Sequence, residues 1–158
     1  MIRILIVCML MAIFAIACTR AKEDESKTEL KFSSNGESVY FTGVSQKNGR
    51  IMFEGGPSWM GEYGGNCGGC HGPEGKGGVP IPDSDIVAAD TGYKALTVEE
   101  HAHDGKKEIH TRYTDKLIKR AITEGLNPED ETLDIVMPRY KMSDDDLNDL
   151  IEFLKTLE

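Results

Sequence analysis

The chain has 158 residues, with 27 acidic against 18 basic side chains and a formal net charge of −9. That length holds one small domain with appendages. The acidic balance excludes a nucleic-acid partner gripped by a basic surface and leaves a solvated face suited to a basic docking partner.

Residues 1–17 read as an address. Arg3 precedes an apolar run from Ile4 to Ala17, which is too short for a comfortable membrane span and suits the core of a signal peptide. The run ends Ala15-Ile16-Ala17-Cys18. This ending resembles a bacterial lipoprotein box, which implies lipidation of Cys18 as the first residue of the mature chain. Thr19 after the cysteine resembles sorting to the outer membrane. An ordinary cleaved signal and an uncleaved anchor are the competing readings. Residues 18–33 then form a charged tether. Its stretch Thr19–Lys31 is too poor in apolar residues to bury a core. As flexible coil it reaches roughly 20 Å, and fully extended about 45 Å.

Ser34–Phe41 predicts a short helix with Ser34 or Asn35 as cap and Glu37 in its first turn, although Phe41-Thr42 could equally open a strand. Gly36 and Tyr40, four apart, share one face of that helix. Asn48-Gly49, between Val44 and Ile51-Met52-Phe53, is a hairpin signal. Met52, Trp59 and Met60 either cover the edge of a bound group or simply bury their own loop.

The chemistry concentrates at Cys67-Gly68-Gly69-Cys70-His71. Two cysteines separated by two residues and followed at once by histidine are the attachment site of a c-type haem. Each thiol can add to one vinyl group, and the adjacent imidazole of His71 becomes the proximal iron ligand. A zinc site needs a second ligand pair, and no further cysteine pair exists. A thioredoxin-like site leaves His71 unexplained. Cys8 lies in the removable segment, so no pair remains for a disulfide.

Residues 83–112 are polar. His101, His103 and His110 stand among Glu99, Glu100, Asp104 and Glu108. A metal site and an alternative haem ligand are conceivable there, but a solvated loop is the preferred reading. Thr114–Glu124 predicts a helix capped by Thr114 and stopped by Gly125, with Leu117, Ile118, Ala121 and Ile122 on its apolar face. Met137-Pro138-Arg139-Tyr140 follows. Ser143-Asp144-Asp145-Asp146 then opens a last amphipathic helix carrying Leu147, Leu150, Ile151, Leu154 and Leu157.

Together these motifs resemble class I c-type cytochromes over residues 34–158. Residues 44–66 stand as an insertion, since 26 residues separate Tyr40 from Cys67. The resemblance implies an all-α fold around one covalently bound haem c, with Gly36, Tyr40 and Phe153 at the crossing of the first and last helices. It implies Met137 as the distal ligand, and a backbone carbonyl from Pro80 or Pro82 supporting the proximal imidazole. Met142 is read as packing. The implied function is electron transfer, not catalysis, between redox proteins, by a membrane-anchored protein of the cell envelope, expected at the outer membrane facing periplasm or exterior. The alternatives are a haem subunit docked on a larger membrane redox complex, and a sensor or peroxidase-like enzyme whose distal ligand leaves.

Overall fold

The computed structural model describes residues 31–98, 100–103, 106–109 and 111–157. Contacts divide the chain into two units, Met1–Lys31 and Phe32–Glu158. The elements below belong to the second. The signal segment 1–17, Cys18 and most of the tether lie outside the described residues, as does His110.

Helix α1 spans Asn35–Thr42. Ser34 caps it by accepting from the Glu37 N–H at 3.1 Å, and Gly43 ends it in the left-handed region at φ 66°. Phe41-Thr42 is therefore helical. The chain then turns back through a hairpin, β1 (Val44–Ser45) against β2 (Gly49–Arg50), around the Asn48-Gly49 signal. Strand β3 (Met52–Glu54) reaches across to pair antiparallel with β6 (Arg139–Lys141). Between them in sequence come the short helices α2 (Met60–Tyr63), α3 (Gly68–His71) and α4 (Tyr93–Thr97). Next are the hairpin β4 (Glu100–His103) and β5 (Lys106–Ile109), then α5 (Asp115–Glu124). The chain closes with α6 (Asp144–Leu154).

Two expectations need correcting. The fold is all-α with a small hairpin in the insertion only in part: among the described residues β1–β2 is that hairpin, but β3–β6 and β4–β5 join it, so three two-stranded antiparallel pairs accompany six helices. The extended inserts cannot satisfy their N–H and C=O groups internally, so they pair across. The stretch 83–112 is likewise not all loop, since it carries α4 and the β4–β5 hairpin.

The core forms where α1 crosses α6. A Cβ on Gly36 would lie 2.0 Å from the Asp149 carbonyl oxygen, so only glycine permits this approach. Beside it the Tyr40 and Phe153 rings meet at 5.2 Å. Val39, Leu147, Leu150, Ile151 and Leu154 bury against one another, and α5 adds Ile118 and Ile122. The predicted helical periodicities thus become one contiguous core. Met142 packs against its edge.

At the other end of the crossing, Asp146 is 1% exposed. Its Oδ1 accepts from Asn35 Nδ2 (2.9 Å) and Ser45 Oγ (2.5 Å). Its Oδ2 accepts from Asn48 Nδ2 and Ser143 Oγ, each at 2.8 Å. Burial alone would raise this carboxyl, but the four donors outweigh it and hold the group at about 2. Lys47 Nζ pairs with the neighbouring Asp149 at 2.6 Å. One carboxylate therefore ties α1, the inserted hairpin and α6 together.

Candidate functional site

The attachment turn is fixed from α1. Cys67 N–H donates to the Tyr40 carbonyl at 3.0 Å, and the Tyr40 hydroxyl donates to the Gly72 carbonyl at 2.7 Å. Asn66 Oδ1 accepts from the Gly69 N–H at 2.6 Å, relieving one of the free donors at the start of α3. His71 N–H returns to the Cys67 carbonyl at 2.9 Å. These bonds hold both cysteines and His71 on a single tight turn. Both cysteines are free thiols. Burial pushes Cys67 up to about 12, with Cys70 adding to the effect, and burial raises Cys70 as well. Among the described residues no group of His, Cys, Asp and Glu is arranged to hold a metal ion.

His71 Nδ1 lies 2.8 Å from the Ala89 carbonyl oxygen. That oxygen can only accept, so the proton resides on Nδ1 and Nε2 carries the free lone pair. Burial lowers the His71 pKa, against the opposing pull of Ala89 and Asp90. The ring is thus held neutral, as a ligand must be. The supporting carbonyl is neither Pro80 nor Pro82. Residues 80–87 leave and return, closed by the Pro80–Val87 bridge and by Ile81 N–H on the Ile86 carbonyl at 2.8 Å. The chain reaches the imidazole only afterwards, at Ala89. Gly77 makes room for it: at φ 58° its absent Cβ would lie 2.1 Å from the Ala88 carbonyl oxygen.

Cys67, Cys70 and His71 open on one cavity of about 260 Å³ whose wall is largely apolar. Ile81, Leu96, Ile118, Ile122 and Leu150 contribute to it, and so does Met137. The four sequence-predicted cofactor residues of the described chain therefore share one chamber. Met60, 1% exposed, also lines it, whereas Met52 is 64% exposed and stands outside. His101 and His103 lie in β4. Cys18 and His110 lie outside the described residues.

The Cytochrome c family model matches residues 61–158. The chain belongs to the cytochrome c family. Neither the curated proteins nor the solved structures give a match. A cytochrome c carries covalently bound haem c and works in electron transfer. The residues present fit that group. Two thiols and an imidazole stand on one turn for its vinyl groups and iron, and the apolar wall suits its macrocycle.

Sequence reasoning missed Ala89 because it serves through its main chain, which no side-chain pattern encodes. It also missed Arg139, whose side chain donates to three carbonyls around Met137. Its place two residues after Met137 was the available signal.

Proposed function

We propose that this cytochrome c is a monohaem electron carrier with His71 and Met137 as axial ligands, anchored in the cell envelope through lipidated Cys18. The observation that carries the ligation is the single apolar chamber shared by Cys67, Cys70, His71 and Met137. The haem supplies one-electron exchange at its iron. His71, neutral and fixed as a tautomer by Ala89, offers Nε2 as a lone-pair donor. Met137 offers a soft, neutral thioether, which favours the reduced metal more than a second imidazole does. Ile81, Ile118 and Leu150 exclude water from the space between them. With both axial positions taken by side chains, no place remains for substrate. The reading is therefore outer-sphere electron transfer between redox protein partners, without catalysis.

The charged tether supports the anchored reading, since it separates Cys18 from α1 without a core of its own. Among the described residues no helix is long and apolar enough to cross a membrane. The test is expression of the full chain in a host competent for lipidation and c-type haem attachment. The expected product has the mass of one covalent haem, a sulfur-to-iron charge-transfer band when oxidised, and partition into membranes. Met137→Ala removes the band, and Cys18→Ala releases the protein from the membrane. An unmodified polypeptide from such a host would refute the haem reading.

A further inference from the structure

The loop bearing Met137 is held by a side chain the ligand motif does not demand. Arg139 Nη2 donates to the Leu133 carbonyl at 2.5 Å. Its Nη1 donates to the Asp134 carbonyl at 3.1 Å and to the Met137 carbonyl. One guanidinium, permanently charged and fork-shaped, thus gathers oxygens from both the entrance to the loop and the candidate ligand itself. Hydrogen bonds with a charged donor are the stronger kind.

The surroundings are arranged for this grip. Helix α5 ends at Gly125, at φ 69°, where a Cβ would lie 1.8 Å from Arg139 Nε. The missing side chain is what admits the guanidinium. The Leu133 N–H donates to the Gly125 carbonyl at 2.8 Å, which starts the loop at the same point. From the other side the insertion holds the loop's exit, with Glu54 opposite Arg139 and Phe53 opposite Tyr140 in the β3–β6 pair. Gly56 N–H also donates to the Ile135 carbonyl at 2.8 Å.

We infer that Arg139 is a positioning residue for the distal ligand: its guanidinium closes the segment Leu133–Met137 into a rigid cradle that keeps the Met137 thioether in place. The inference rests on the Met137 ligation proposed above. A loosened cradle leaves the haem attached and the helices intact, but makes the thioether easier to displace.

The experiment uses the oxidised, haem-loaded full chain and free imidazole as competitor for the methionine position. Wild type, Arg139→Gln, Arg139→Lys and Gly125→Ala are titrated while the charge-transfer band is followed, with Met137→Ala as reference. Arg139→Gln is expected to bind imidazole at least about tenfold more tightly, with unchanged haem content and far-UV spectrum. Tenfold corresponds to about 1.4 kcal/mol, near the scale of one charged hydrogen bond. Arg139→Lys, able to serve fewer carbonyls at once, falls between. Gly125→Ala, which pushes the guanidinium out while keeping its charge, tightens imidazole binding as well and serves if Arg139→Gln does not accumulate. Wild-type imidazole affinity in Arg139→Gln or Gly125→Ala, with the band intact, overturns the inference and leaves Met137 ligation standing. A band that is absent from wild type, or that persists in Met137→Ala, overturns both.

Discussion

Helices α1 and α6 build two regions of opposite character from one crossing. On the side of Tyr40, Leu150 and Leu154 they wall an apolar chamber that contains both thiols and His71. On the side of Asn35 and Asp146 they close a polar cluster in which all four donors to the carboxylate come from the protein. Among the described residues the apolar surfaces of the chamber face a gap, and the haem c that the family carries is the group that would fill it. The cluster is complete in itself. The first region is where the molecule depends on its cofactor, and the second is where the polypeptide alone fixes its shape.

Perturbing each region in turn sharpens that contrast. The largest effect is expected from Cys67→Ala with Cys70→Ala. Covalent haem is lost entirely, as read by mass, and the sharp thermal transition followed by near-UV dichroism broadens because the chamber loses its content. A variant that still unfolds as sharply as wild type would show the chamber to be self-sufficient. Next comes Asp146→Ala, which strands buried donors and removes the tie between three elements. It should cost about 3–5 kcal/mol in denaturant unfolding, with the charge-transfer band unchanged. A loss below about 1 kcal/mol would demote the cluster to decoration. Gly36→Ala forces the helices apart at their crossing and should cost about 1–3 kcal/mol, with both regions loosened together.

The smallest effect concerns acid. The Asp146 carboxyl sits at about 2 when folded, against an ordinary 3.8. A depressed folded value means that its contribution is fully present above the unfolded value and is lost as pH falls through the folded one. Wild-type stability should therefore drop between pH 3.8 and about 2, and Asp146→Asn should lack that component. An identical acid limb in both proteins would remove Asp146 as its source.

The contrast also explains what could be read from residues alone. The attachment turn was legible because its chemistry demands particular side chains at fixed spacing. The helices α1, α5 and α6 were legible from caps at Ser34, Thr114 and Ser143, and α5 and α6 also from their apolar periodicity. Asp146 was read as one of three carboxylates at a helix start. Its burial depends on Asn35, Ser45 and Asn48, about a hundred positions away, and no local pattern carries that information. The carbonyl on His71 was misplaced for a related reason. A proline marks a turn, but which main-chain oxygen the returning chain delivers depends on the whole excursion from Pro80 to Val87.

The bond between Asn35 and Asp146 spans 111 positions, and this has a temporal consequence. As the chain emerges with its first residues leading, α1 waits for α6 before either can dock, since both lie near opposite ends of the domain. Closing so long a loop cannot precede the arrival of its far end. Cys67 and Cys70 emerge well before that moment, and their burial depends on walls that arrive with it. The attachment turn is thus on hand before the helix that packs behind it has arrived.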